Sequence, residues 1–560
     1  MYQQVYDPVS NSLGLSSIFA ALPLLTLFIL LGGLKLKAQW AALISLLVAL
    51  AVAIIVYGMP LGQALDSALL GATFGLFPIM WIVINAIWIY NLTVASGHFA
   101  ILRRSFATIS DDQRVQAVII AFCFGALLEA LAGFGTPVAI TAVMLIGLGF
   151  SPIKAASVAL VANTAPVAFG AIAIPIVTLA EITGLPKEDL GAMVGRQTPV
   201  LALFVPLILI GMVDGMRGLR QAWPAALAGG GAFAVAQFLC SNYVSVELTD
   251  IVASLLGAGA IVLLLRFWSP SEPLLGDSPA GAGPRPAMAG AATSDPAHED
   301  AINARQGADS AGEVLRAYAP YLIVIAVFGL AQLAPIKEAL ESATREFTWP
   351  GLDIRDADGE PIASITYNFN WLAAAGTLLL ICGFLTMVVL KMGAGRALKA
   401  YVATLDQLKW AIVTVMSVLA LAYVMNLSGQ TITIGLWLAG AGGLFAFLAS
   451  IIGWLGVAVT GSDTSSNSLF GQLQVAAAKE SGLSPVLMAA ANTSGGVMGK
   501  MISPQNLAIG AAAVGMAGQE GELFRRVVGW SLALLLLMCC LVYLQSTDIL
   551  GWMVVGGNPQ

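Results

Sequence analysis

An acid inside an apolar run is the first place to look for chemistry. Glu129 stands between Cys123-Phe-Gly-Ala-Leu-Leu and Ala-Leu-Ala-Gly133, with no other charge close by in sequence. If that run lies in lipid, a carboxylate there is costly and marks function, unless it sits in a turn at the membrane surface. A second acid, Asp463, falls in the polar run Gly461-Ser-Asp-Thr-Ser-Ser-Asn467, where a plain turn competes more strongly. Lys500 lies between Val-Met-Gly and Met-Ile-Ser-Pro. It can pair with a carboxylate, hold an anion, or extend to the surface.

These residues belong to two stretches that read alike. The first runs from Glu129 through Gly133, Gly135, Thr136 and Pro137 to Gly149-Phe-Ser151-Pro152, Asn163-Thr164, Gly170 and Pro175. The second runs from Gly461 through Asp463, Ser465 and Asn467 to Gly482-Leu-Ser484-Pro485, Asn492-Thr493, Gly499 and Pro504. Asn to Gly is seven residues in both and Gly to Pro is five in both, whereas Pro to Asn is 11 in one and 7 in the other. Gly and Pro interrupt helices and free backbone groups, which lipid tolerates only where protein or a cavity covers them. Gly133, Gly135, Pro137 and Gly461 are therefore the expected helix breaks. Broken helices in both halves of a transporter form its substrate site, with N–H groups at helix starts suited to an anion. The competing reading of the Asn and Thr residues is packing, since such side chains also bind helices together.

The elements that must position these groups are membrane helices. Hydrophobic residues make up 58% of the 560 and charged residues 10%, against roughly 25% charged in a soluble domain. The apolar residues come in runs of about 20, the length that crosses a hydrocarbon layer. We expect an all-α polytopic membrane protein with 12 to 16 crossings, best fitted by about 14, some runs being re-entrant. The N-terminus lacks a basic region before its first run, so that run is expected to remain as a helix. Two hydrophobic halves, 1–267 and 313–560, flank an Ala/Pro/Gly-rich linker, 268–312, and carry the two related stretches as an inverted repeat. Basic residues such as Arg103, Arg104, Arg114, Arg217, Arg220 and Lys399 fall on one side if the N-terminus is outside, which makes that side cytoplasmic. The stretch 335–368, with seven acids against three bases, falls outside, and so does the C-terminus.

Several classes lose support. No basic patch alternates with aromatics, so nucleic acid is not an expected partner. The five cysteines have no metal-ligand spacing and there are two histidines, so neither a metal nor another cofactor is expected. No nucleophile motif points to an enzyme, and no ring of like groups points to a channel.

Longer strings bring a family into view. Asp111-Asp112-Gln113-Arg114, Gly125-Ala-Leu-Leu-Glu129-Ala-Leu-Ala-Gly133-Phe-Gly135-Thr136-Pro137, Asn163-Thr164-Ala-Pro166, Thr460-Gly461-Ser462-Asp463-Thr464-Ser465-Ser466-Asn467 and Ser503-Pro504-Gln505-Asn506 stand out. With Tyr6-Asp7-Pro8 they span nearly the whole chain, which resembles the bacterial L-lactate permease family. The resemblance implies uptake of L-lactate, with D-lactate and glycolate, by proton symport across the bacterial inner membrane. A sodium-coupled carboxylate carrier is the alternative, because Gly/Ser/Thr/Asn turns also suit sodium. Asn163, Thr164, Ser465, Asn467, Asn492, Thr493 and Lys500 are then the candidate substrate contacts. Glu129 and Asp463 are the candidate proton carriers, since His98 and His298 both fall outside the apolar runs. The orientation is testable: a cysteine placed in the 268–312 linker of a cysteine-free variant should resist a membrane-impermeant thiol reagent in intact cells. Rapid labelling would reverse the topology.

Overall fold

The computed structural model describes residues 1–34, 36–107, 109–132, 135–274, 309–331, 333–516 and 519–558. Two opposite faces emerge from what the chain brings together. On one, strand Tyr2–Gln3 lies parallel to Ile354–Arg355, and Arg345–Thr348 pairs antiparallel with Thr366–Phe369. The Tyr2 hydroxyl there donates to the carbonyls of Tyr57 (3.2 Å) and Ser428 (2.9 Å). On the other, Arg104 pairs with Asp309, Arg114 with Asp112 and Asp214, and Arg217 with Glu272. The acidic 335–368 stretch thus shares a face with the N-terminus, and the basic clusters share the opposite one. Of the expected linker, 275–308 lies outside the described residues. Its flanks meet the basic face, where the Gln113 amide donates to Leu274 O (2.9 Å) and Asp309 meets Arg104.

Among the described residues, nine helices are long and apolar enough to cross a membrane, or ten if the bent pair Pro152–Ala162 and Val167–Thr183 counts as one span. Length alone misjudges both ways. Thr198–Tyr243 has 46 residues, about 69 Å of helix at 1.5 Å per residue, more than twice a hydrocarbon core of about 30 Å. It is two passes hinged at Asp214–Gly215, where Gly215 takes φ 59°, ψ −148°, a conformation open essentially to glycine. Conversely, Gln113–Leu131 and Gly442–Thr460 are long enough to cross but belong to hairpins. Traced between the faces, the described passes are 13–31, 38–55, 61–95, 152–183, 198–213, 216–243, 249–264, 311–331, 375–389, 394–427, 485–513 and 520–545. Their even number returns the C-terminus to the N-terminal face.

The first hairpin joins the Gln113–Leu131 arm to Thr136–Gly147 and closes on the basic face, where Gln113 Nε2 donates to Leu148 O (3.0 Å). The second joins Phe445–Thr460 to Asp463–Glu480 and closes on the N-terminal face, where Ser481 Oγ donates to Ala439 O (3.3 Å). Ala439 ends a helix that runs beside the first one, with Gly14 against Trp437 and Ser17 Oγ donating to Thr433 O. After each hairpin comes the same turn: left-handed Gly149 or Gly482, an extended Ser151 or Ser484, and proline in the first turn of a helix. Each of these helices then breaks before a second short one. Thr136–Gly147 packs on Pro504–Ala513, and Gly170–Thr183 packs on Asp463–Glu480. The two stretches therefore share one order of elements, enter from opposite faces and interlock.

The base of the first hairpin is fixed by Arg114, which is 1% exposed. Its guanidinium donates to Asp112, Asp214, Gln221 and the Glu272 carbonyl. Burial alone would push the Asp112 carboxyl up, but the bonds from Arg114 and the Leu274 and Arg114 amides outweigh it and hold it below its usual range. A depressed folded-state pKa contributes stability above the unfolded value near 4, lost as pH falls through the folded value. Asp112→Ala leaves Arg114 with fewer anions and should cost on the order of 3 kcal/mol. Thermal unfolding in detergent should register a lower midpoint at pH 7; an unchanged midpoint would refute this role.

Candidate functional site

The two breaks meet around a cavity of about 850 Å³. It is lined by Glu129, Gly170, Ala171 and Pro175 from the first stretch and by Thr460 to Ser465, Lys500 and Pro504 to Asn506 from the second. Lys37 and Glu520 also line it and stand at the ends of passes on the basic face, while Trp410 lines it from midway along the 394–427 pass. The cavity therefore reaches from the breaks toward that face.

Its charged groups come from both halves. Lys500 Nζ lies 2.5 Å from Glu129 Oε1, and both side chains are under 10% exposed. Asn163 Nδ2 donates to the other carboxylate oxygen at 2.9 Å. Gly170 permits this approach, because a Cβ there would lie 2.9 Å from Glu129 Oε1. Asp463 is equally buried, yet neither of its oxygens has a hydrogen-bond partner among the described residues. Lys500 lines the same cavity as Asp463. The site thus holds two acids around one ammonium. Keeping a desolvated carboxylate charged without a partner is expensive, so electroneutrality calls for a proton or a competing arrangement of the ammonium.

Backbone geometry explains why helices stop here. Gly135 (φ 82°) precedes Thr136–Gly147, with Pro137 in its first turn. Gly461 (φ 76°) ends Phe445–Thr460. Gly133 lies outside the described residues. Ser462 Oγ accepts from Ser465 N, and Ser503 Oγ accepts from Asn506 N, capping the helices that begin at Asp463 and Pro504. Asn506 Nδ2 donates to Gly461 O (3.4 Å) and to Ser503 Oγ (2.7 Å), while its Oδ1 lies 3.4 Å from where a Cβ on Gly135 would stand. One side chain thereby touches both breaks. In the first broken span Ala171, Ile172 and Ala173 all take left-handed φ values, 45°, 58° and 56°. Such a turn costs roughly 1–2 kcal/mol per residue outside glycine.

The other expected contacts fall in two groups. Ser465 lines the cavity. Asn467, Asn492 and Thr493 face one another instead: Asn492 Nδ2 and Thr493 Oγ1 donate to Asn467 Oδ1 at 2.9 and 3.0 Å. Asn467 Nδ2 continues to Pro175 O (2.9 Å), and Gln474 Nε2 donates to Asn492 Oδ1 (3.1 Å). This network joins the second hairpin to both broken spans and has the form of interhelical packing. Asn163 stands behind Glu129 rather than on the cavity wall, and Thr164 Oγ1 is buried without a described partner. Sequence reading did not single out Gln505 and Asn506 as site residues, although they lie in a quoted motif. It also passed over Asp250, buried at the edge of an apolar run.

Relatives agree on one family. The L-lactate permease family profile matches residues 16–548. The L-lactate permeases of Escherichia coli (strain K12) and Salmonella typhimurium are each 42% identical to this chain, covering 99% of it and 100% of their own length. Glycolate permease GlcA of Escherichia coli (strain K12) is 40% identical over 99% of both chains. From composition to cavity these findings converge: the chain is a multi-pass membrane transporter, not an enzyme, and it belongs to the L-lactate permease family.

Proposed function

We propose that this protein imports L-lactate, and also D-lactate and glycolate, across the bacterial inner membrane together with a proton. The observation that carries the reading is the buried Glu129–Lys500 pair in one cavity with Asp463, whose oxygens have no hydrogen-bond partner among the described residues. Names of relatives support the substrate class. Lactate is a carboxylate with a pKa near that of Asp, about 4, so it is charged at neutral pH. Moving one negative charge against an inside-negative potential costs about 2.3 kcal/mol per 100 mV, and one accompanying proton cancels that term.

The geometry suggests the exchange. With Glu129 ionised, Lys500 is engaged. A proton on Glu129 breaks that pair and leaves the ammonium for the carboxylate of lactate. The capped helix starts at Asp463 and Pro504 supply N–H groups and favourable dipoles to the same anion. Ser465, Gln505 and Asn506 are within the cavity wall for the 2-hydroxyl. Asp463 must stay neutral while lactate is present, because two adjacent anions repel. Asn163 positions Glu129, and Asn467, Asn492 and Thr493 hold the breaks in shape. With the basic face cytoplasmic, the described cavity corresponds to the releasing state. The halves 1–267 and 313–560 act as two interlocked bodies tethered by 268–312.

Transport in proteoliposomes tests the coupling. Glu129→Gln should lose accumulation driven by a pH gradient while keeping part of the lactate exchange between equal pools. Accumulation equal to the parent's would remove Glu129 from coupling, and Asp463→Asn then decides whether the second break carries the proton. Uptake by the parent that follows a sodium gradient with no pH gradient would favour a sodium-coupled carrier.

Lys500 has its own test. Lys500→Met strands Glu129 in a buried site and should destabilise by about 3–5 kcal/mol. Adding Glu129→Gln should restore most of that stability without restoring lactate affinity. Parent-like lactate binding by the double variant would show that Lys500 does not hold the anion.

A further inference from the structure

A third buried acid lies outside the cavity wall. Asp250, in the first turn of Thr249–Leu264, is 0% exposed. Its Oδ1 accepts from Gln237 Nε2 (3.0 Å), and its Oδ2 has no partner among the described residues. Helix Thr249–Leu264 packs on both arms of its surroundings, Thr198–Tyr243 and the first hairpin. It runs antiparallel to the hairpin arm, and Gly257 sits against Cys123, with a Cβ there 3.5 Å from the sulfur. Seven residues back from Gly257 is Asp250, and six residues on from Cys123 is Glu129. Two turns along antiparallel helices set the two acids at the same level. Neither acid bonds the other among the described residues: Glu129 is held by Lys500 and Asn163, and Asp250 by Gln237.

Among the described residues, the groups that act on Asp250 include no cation. From its packed neighbours come Glu129 and the Cys240 thiol, the latter bonded to Ser245 O. Glu247, three residues earlier, is paired with Lys187 at 2.5 Å. A polar file then leads from Asp250 toward the N-terminal face. Gln237 Oε1 accepts from Thr198 Oγ1 (3.2 Å), and the adjacent Gln197 donates to Gln545 Oε1 (2.9 Å). Arg196, next in line, meets Asn242 and Met553 O at the end of the passes. Gln545, Gln197, Thr198 and Gln237 thus make a file of buried amide and hydroxyl groups, in which Gln197 Oε1 has no partner among the described residues.

We infer that Asp250 is a second proton-bearing site, loaded from the N-terminal face along Gln545, Gln197, Thr198 and Gln237, that hands its proton to Glu129. In that step the O–H bond on Asp250 breaks and one forms on Glu129. The negative charge moves to Asp250, which recovers a proton from water on the N-terminal face. The transfer replaces the Glu129–Lys500 pair by a free ammonium at the moment lactate needs it. This inference rests on the proton-coupled reading above and adds the route by which Glu129 is filled.

Two readouts decide it. In the infrared, the detergent-solubilised parent should carry a protonated-carboxyl carbonyl band that disappears in Asp250→Asn and returns at a displaced position in Asp250→Glu. In proteoliposomes, Asp250→Asn should lose pH-gradient-driven lactate accumulation, and Asp250→Glu should restore it with a shifted pH profile. If Asp250→Asn does not assemble, Asp250→Glu alone decides through its band and its profile. A parent that shows no pH-driven accumulation sinks the coupling itself, whatever Asp250 does. A parent that accumulates lactate, beside Asp250 variants with unchanged bands and unchanged pH profiles, overturns this inference alone.

Discussion

Every backbone N–H and C=O in a hydrocarbon layer must find a partner, and this protein breaks four helices inside one. The rest of the structure follows from how those breaks are satisfied. Left-handed Gly135 and Gly461 turn the chain without a Cβ. Ser462 and Ser503 cap the helices that restart, and Asn506 reaches from its own cap to the Gly461 carbonyl. Because each hairpin tip is covered by the broken span of the other stretch, neither break could persist alone. The interlock is a consequence of backbone chemistry before it is a substrate site.

Once two breaks are covered by each other, their ends leave a polar chamber that lipid cannot fill. Helix starts there favour negative charge, and the buried charged side chains are Glu129, Asp463 and Lys500, with Lys37 and Glu520 farther out on the wall. The ammonium meets the acid of the other half, so the charge balance of the chamber depends on the two halves staying together. The left-handed run 171–173 borders the same chamber, next to Gly170 and Pro175. Strain of this kind persists where its surroundings over-determine it, and here those surroundings are the second hairpin through the Asn467–Pro175 bond.

Much of this was legible in the sequence. Gly-x-Ser-Pro encoded a left-handed glycine, an extended serine and a first-turn proline twice, although only Ser484 adds a side-chain cap, accepting from Leu487 N. Gly135 and Gly461 announced turns because glycine alone takes a left-handed φ without a Cβ penalty. The Asn-Thr pairs were harder. The unequal Pro-to-Asn spacing leaves Asn163 at the end of an 11-residue helix, whereas Asn492 lies within the 16-residue helix Pro485–Lys500. The first pair therefore sits at a break and the second inside interhelical packing. Sequence distance also hid the partners of Glu129 and Arg114, because burial and folding alone bring Lys500 and Glu272 to them. The small strands on the N-terminal face lie in a stretch whose acidity announced exposure but not pairing.

The Glu129–Lys500 pair has a consequence for how the protein is made. The two residues are 371 apart in sequence. At about 5–20 residues per second of synthesis, Glu129 emerges roughly 20–75 s before its ammonium exists. Asn163 follows only 34 residues later and is the earlier of its two partners to arrive. During that interval the first hairpin must wait in the translocation machinery, or enter lipid with its acid neutral and leaning on Asn163. The order of manufacture thus brings Asn163 to Glu129 first, and the completed chain acquires the ion pair last.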